Sequence, residues 1–377
     1  MGEVAGLVAE LVAIDSVNPA LVPGGAGEEE IARFVAGWLE RAGLDTHLEE
    51  AAPGRPNVVG VARGTGGGRS LLLLAHMDTV GVAGMERPLE PRIEDGRLYG
   101  RGAYDMKAGL AAIMLAGAEA ARRSFRGDVI VASVADEEHA SVGAADFARR
   151  WRADGAVVPE PTGLDLCVAH KGFVWMEVEV EGRAAHGSMP HLGIDAIAKM
   201  GHVLVGLEEL GRSLRAAPSH RLLGSGSIHA SLIEGGQELS SYPSRCVLQL
   251  ERRTVPGETA SLAEEQVRGL LAELAARDAD LHAGVRTTFA RGPFEVAEDE
   301  RIVRAVRTSA AAVLGREPAV VGHSAWMDTA ILAEAGIPAV VIGPGGEGAH
   351  AMVEWVDLAD TERLVEILVG AAASFCA

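Results

Sequence analysis

The sequence predicts an α/β protein: a mixed, mostly parallel sheet with helices on both faces, carrying an inserted ferredoxin-like α+β domain. Three observations lead there. Short apolar runs alternate with amphipathic stretches in the first part of the chain. From Val174 the pattern changes to strict alternation of apolar and polar residues. Histidines and acids stand just after the apolar runs, and in an open parallel sheet the loops after the strand ends meet in one crevice.

The elements follow in order. Val4 to Ile14 and Glu28 to Ala42 space their apolar residues as amphipathic helices, the second ending at Gly43. Asn57 to Ala62 and Ser70 to Ala75 read as strands, joined by the glycine-rich stretch Arg63 to Gly68. That stretch lacks the Lys-Ser/Thr ending of a phosphate loop, so a flexible hairpin connection is expected. Met106 to Arg122 is an Ala-rich helix starting right after Asp105. Val129 to Val134 and Ala156 to Val158 are apolar runs separated by a helical stretch, which indicates a largely parallel sheet.

Then Val174, Met176, Val178 and Val180 alternate with Trp175, Glu177, Glu179 and Glu181. Such a strand has one wet face, as in an antiparallel sheet. A helix from about Ile194 to Leu210, strands at Ser227 to Ile233 and Cys246 to Arg253, a helix from Thr259 to Ala276 and a strand at Leu281 to Phe289 complete a β-α-β-β-α-β unit. After Pro293 the α/β pattern returns, with a helix near Glu300 to Leu314 and a strand at Ala339 to Ile342. The expected domains are 1–172 with 291–377, interrupted by an insert at 173–290.

A chain of 377 residues suits two domains. Its net charge of −19 argues against nucleic acid, which needs clustered Lys and Arg. The start, Met1-Gly2-Glu3-Val4-Ala5, has no basic segment, so no secretory signal is expected. No apolar run is long enough to span a bilayer. Cys167, Cys246 and Cys376 lie far apart and read as reduced residues of a cytoplasmic protein.

The chemistry lies in the residues after the apolar runs. His76 and Asp78 follow Leu71 to Leu74, and Asp136, Glu137 and Glu138 follow Val129 to Val134. Glu160 follows Ala156 to Val158, and His350 lies a short glycine-rich loop beyond Ile342. Singly, each has an ordinary reading as a core histidine, a solvated acid or a turn residue. Together, so many carboxylates repel one another unless a cation sits among them. His76, Asp105, Glu138, Glu160 and His350 are the proposed metal ligands. Two divalent ions are balanced by three carboxylates and a hydroxide, as a dry crevice requires. Imidazole and carboxylate suit Zn²⁺, with Co²⁺ and Mn²⁺ as alternatives. Asp105 can bridge the two ions. Asp78, two residues from His76, is placed to take its second ring N–H. Glu137 is left free to move a proton.

These residues resemble the co-catalytic zinc amidohydrolases that include acetylornithine deacetylase, succinyl-diaminopimelate desuccinylase, aminoacylase and carboxypeptidase G. The matching stretches are Leu74 to Val80, Gly100 to Lys107, Asp136 to Glu138, Glu160 to Thr162 and Gly343 to His350, with Ala185 to Pro190 and Glu251 to Glu258 in the insert. The resemblance implies a zinc-exopeptidase-like fold whose insert serves as lid and dimerisation domain. It implies that Asp105 bridges the ions, that His76 and Glu160 complete one site, and that Glu138 and His350 complete the other. Glu137 would be the general acid/base. His186 would stabilise the oxyanion in the partner subunit of a homodimer, and Arg253 would grip a substrate carboxylate. Gly345 and its neighbours would shape the substrate-facing loop. A cis peptide is implied between Asp105 and Met106.

Two departures bear on substrate. Relatives often carry a glycine where Ala140 stands, and many carry Asn at the place of Ser240. Glu160 matches relatives with deacylase or carboxypeptidase activity, whereas aminopeptidases of the family tend to have Asp there. The expected function is hydrolysis of an amide next to a free carboxylate, foremost N-deacylation of an N-acyl amino acid. Carboxypeptidase G-like or dipeptidase activity is the alternative, and a non-catalytic metal-binding protein is the remote one.

Overall fold

The computed structural model describes residues 2–377. Chain contacts divide it into two units. The first comprises residues up to Val168, Val296–Val321 and Met327–Ala377, and the second Ala169–Glu295 with Gly322–Trp326. The chain passes from one to the other inside the strand Leu166–His170.

The first unit is built on a mixed sheet. Its strand order runs Asp45–Ala52, Arg55–Ala62, Val129–Val134, Leu71–His76, Gly155–Val158, Ala339–Val341, Leu166–His170. The four strands from Val129–Val134 to Ala339–Val341 are mutually parallel, and the flanking pairs are antiparallel. Every residue of those four strands is buried, which is why each reads as a continuous apolar run. The Ala-rich helix Ala108–Arg123 packs on two of them and on the C-terminal helix Leu358–Phe375. Small side chains allow that approach: a Cβ on Gly117 would stand 2.4 Å from Val131 Cγ2.

The glycine-rich stretch after Ala62 does not make a hairpin. Val129–Val134 lies between Arg55–Ala62 and Leu71–His76 and pairs with both, so the loop crosses over a third strand. Its first residues are tied instead to the Phe125–Asp128 turn, through Thr65 N to Phe125 O and Gly64 N to Asp128 Oδ1. Before the Ala-rich helix the chain makes one wide turn, Ala103–Lys107, and the Asp105–Met106 peptide is cis.

The second unit is a four-stranded antiparallel sheet in the order Ser227–Gly235, Arg245–Thr254, Gly172–Glu181, His282–Arg291. Val174, Met176, Val178 and Val180 face the helices Ala196–Ala216 and Ala260–Arg277, against Met200, Val203, Val267 and Leu271. Asp195 and Thr259 cap those helices, accepting from Ala198 N and Leu262 N. Ser227–Gly235 is an outer edge that leaves Leu232 and Ile233 exposed. Among the described residues no helix is long and apolar enough to cross a membrane.

Candidate metal centre

The parallel registers put four strand exits side by side. His76 pairs with Val134, Leu73 with Val157, and Val158 with Val341. The residues after those strands are His76 to Asp78, Asp136 to Glu138, Glu160, and the loop to His350. His76 Nε2 lies 3.3 Å from Asp105 Oδ1 and 3.7 Å from Glu160 Oε1. His350 Nε2 lies 3.3 Å from Asp105 Oδ2 and 3.0 Å from Glu138 Oε2. Within each triad the ligand atoms are all within 4.8 Å of one another. Asp105 belongs to both triads through different oxygens, as a carboxylate bridging two ions does.

Charge is concentrated here. Burial pushes the Glu137 carboxyl well above its ordinary range, and Glu160, Asp328 and Glu138 add to it against the pull of His76. Burial likewise raises Glu160, with Asp105, Asp328 and Glu138 adding to it against the pull of His76. Burial opposes a charge on His76, yet Asp105 and Asp78 outweigh it and hold the imidazole well above its usual range. Asp105 and Glu138 raise His350 to about 10. Asp105 itself is held down, because His350 and His76 overcome its burial. The cluster therefore demands positive charge, which imidazolium protons or metal ions can meet. A metal fits the donor set: Glu138 Oε1 is buried without a hydrogen-bond partner, and two imidazoles with three carboxylates suit a divalent ion.

Asp78 takes a broader position than its spacing suggests. His76 Nδ1 lies 3.0 Å from the Asp78 main-chain carbonyl and 3.6 Å from its carboxylate Oδ1. That carboxylate accepts the amides of Glu137 (3.1 Å) and Glu138 (3.2 Å).

Asp105 is held by Glu354, which the sequence reading missed. Glu354 Oε1 accepts from Tyr104 N at 2.9 Å and Asp105 N at 3.0 Å. Its Oε2 accepts from Gly102 N at 3.0 Å and Arg101 Nη1 at 2.6 Å. A small sheet brings the two together, since Trp355 pairs with Tyr99. Asn18 and Asp328, both buried, were also missed. Each sits outside any periodic pattern; the one available signal is a lone acid among apolar neighbours, as in Val353-Glu354-Trp355.

Gly343, rather than Gly345, lies against a candidate ligand: a Cβ there would stand 2.1 Å from Glu160 O. Gly345 donates to Asp360 Oδ2. His186, Ser240 and Arg253 belong to the second unit. His186 is exposed, its Nδ1 2.8 Å from Ser188 Oγ, and Ser240 O accepts from Gly187 N beside it. Arg253 Nε lies 2.7 Å from Glu251 Oε1, and its guanidinium stands 5.3 Å over the Phe173 ring.

Two histidine–carboxylate triads share one aspartate at the carboxyl ends of a parallel sheet, and each could hold a metal ion. Residues 72–374 match peptidase family M20/M25/M40, and the chain belongs to that family. It is 30% identical over 353 residues to acetylornithine deacetylase of Myxococcus xanthus, covering 90% of each chain. It is 28% identical over 391 residues to N-formyl-4-amino-5-aminomethyl-2-methylpyrimidine deformylase of Bacillus subtilis (strain 168), covering 94% of this chain and 91% of that one. The fold is shared with the YxeP protein of Bacillus subtilis, described as a dinuclear metal-binding peptidase of the M20 family. The TM-score is 0.76 at 16% identity, over 99% of this chain and 97% of that one. The protein is a metal-dependent hydrolase.

Proposed function

We propose that the protein removes the acyl group from an N-acyl amino acid. The carrying observation is the pair of triads sharing Asp105, with Glu137 beside them as an acid of raised pKa. Similarity to an acetylornithine deacetylase supports the amide class. His76 and Glu160 would hold one ion, Glu138 and His350 the other, and Asp105 both, with Zn²⁺ as the resident metal. When bound, such ions polarise a carbonyl and lower the pKa of water.

The rest falls to the chain itself. A carboxyl whose pKa burial raises above its ordinary range can take a proton from attacking water and return it to the leaving amine, and Glu137 is such a group. The cluster's acids demand cations at their centre, so the substrate's own carboxylate needs a separate partner. Arg253 is proposed for it, pre-oriented by Glu251 and Phe173. Ser240, next to the His186 loop, would bear on substrate choice, with Gly345 shaping the substrate-facing loop. We assign His186 to oxyanion stabilisation in the partner of a homodimer formed through the insert, and the setting to the cytoplasm. The exposed edge strand Ser227–Gly235 supports such pairing.

A panel of N-acetyl, N-succinyl and N-formyl amino acids and dipeptides, with Zn²⁺, Co²⁺ or Mn²⁺, tests the reading. Turnover of N-acyl amino acids is expected, and Glu137→Gln should keep its metal while kcat falls about 10²–10⁴-fold. Turnover of dipeptides alone would replace the deacylase reading by a dipeptidase. Inactivity with both ions bound would replace it by a metal-binding protein.

A further inference from the structure

A buried polar network reaches the backbone of Glu137 through Asp78 and Asp136. Its hub is Asn18, which is fully buried. The segment Ser16 to Asn18 runs beside Met77 to Thr79, with Asn18 N donating to Thr79 O and Thr79 N to Ser16 O. The Asn18 side chain thereby enters between two strand exits. Its Nδ2 donates to Asp78 Oδ2 at 2.7 Å and to Asp136 Oδ1 at 3.0 Å, while its Oδ1 accepts from Ala20 N at 2.9 Å. One amide thus joins two buried carboxylates that would otherwise repel each other.

One carboxylate holds the backbone of Glu137, and the other belongs to the residue just before it. Asp78 accepts the amides of Glu137 and Glu138. Asp136 precedes them in the left-handed region, φ 70°. Its carboxylate also takes Arg55 Nη1 at 2.9 Å, and its amide donates to Glu28 Oε1 at 3.2 Å. Arg55 in turn is bidentate on Glu28, which is fully buried. An unfavourable φ persists only where its surroundings over-determine it. Here they do: Asp136's amide and carboxylate are both held, and its carbonyl accepts from Ala140 and Ser141.

We propose that Asn18, with the Arg55–Glu28 pair behind it, is the positioning element for Glu137. It acts through Asp78 and Asp136 and touches neither substrate nor metal. This rests on Glu137 being the base. The network spends a donor on each side of the Asp136–Glu138 turn, which fixes where the next carboxylate can reach. A displacement of about 1 Å in a reacting group costs on the order of 10²-fold in rate.

The test is a cycle of Asn18→Ala, Glu137→Gln and the double variant, each assayed for kcat, KM, bound metal and melting temperature. In Asn18→Ala, kcat should fall about 10²-fold, with two metals retained and KM within about threefold. In the Glu137→Gln background the Asn18 change should cost nothing further, since both act on one step. Multiplying losses in the double variant, or loss of metal in step with activity, would overturn the proposal. So would unaltered kcat in Asn18→Ala. If Asn18→Ala does not fold, Asn18→Ser, which keeps a donor, carries the same cycle and the same outcomes. Full turnover in Glu137→Gln alone would instead remove the base reading on which the proposal stands.

Discussion

Glu354→Gln puts the assembly of the bridging site under direct test. The wild-type carboxylate serves four donors, two on each oxygen. Glutamine offers one oxygen and one NH₂ group. In one orientation it abandons Tyr104 N and Asp105 N; in the other it abandons Gly102 N and Arg101. Arg101 keeps Ala351 O at 3.0 Å and Gly81 O at 3.2 Å, but loses its anion. Two unsatisfied buried donors cost about 1–3 kcal/mol each, hence roughly 2–6 kcal/mol. Against a typical stability of about 5–15 kcal/mol the variant should fold at a lower melting temperature. Asp105 loses its support in the first orientation, and loss of such support costs about 10–100-fold in metal affinity. Calorimetric titration of metal-free protein with Zn²⁺, alongside thermal unfolding, reads both effects. Wild-type affinity for both ions with an unchanged melting temperature would refute the view that Glu354 shapes the bridge.

Two further outcomes follow from single contacts. Lys107 is buried, donating to Ile14 O at 2.7 Å, and burial lowers its pKa from 10.5 to about 7 against the pull of Asp15 and Glu354. The unfolded chain then binds more protons between those two values, so the penalty is full below about pH 7 and is relieved as pH rises toward 10.5. Wild-type unfolding should gain stability across that window relative to Lys107→Met, and parallel pH curves for the two would refute it. Gly343→Ala should weaken metal binding, because the new methyl meets Glu160 O and Pro159 O, both backbone. Titration showing undiminished affinity for both ions would show that the strand exit can yield.

The central sheet is legible because buried parallel strands need apolar residues on both faces, so Leu71 to Leu74 and Val129 to Val134 stand out against their surroundings. Strand pairing is not. Nothing local to Arg63 to Gly68 says that Val129–Val134 will enter between the strands it joins. Among the candidate ligands, His76, Glu138, Glu160 and His350 are legible as chemistry around strand ends and Asp105 as an acid just before a helix, and the structure brings the five together. Their supports are hidden because hydrogen bonds to backbone leave no periodic trace. Glu354 meets Asp105 across 249 residues, and Asn18 meets Asp136 across 118. Asp78 shows the same limit: a spacing of two from His76 announces proximity, but not that its carboxylate would cap the turn carrying Glu137.

The long reach of Glu354 has a consequence for biosynthesis. Arg101, Gly102, Tyr104 and Asp105 leave the ribosome some 250 residues before the carboxylate that organises them. His350 arrives equally late, in a chain of 377. Synthesis runs from the amino end, so the growing polypeptide holds His76, Asp105 and Glu160 long before the second triad exists. Until residues 350 to 354 are made, the nascent chain lacks both the support of Asp105 and the second triad. Assembly of both triads therefore waits for the segment that carries His350 and Glu354: a product cut short ahead of that segment contains Glu137, yet lacks part of the second triad and the carboxylate that holds Asp105.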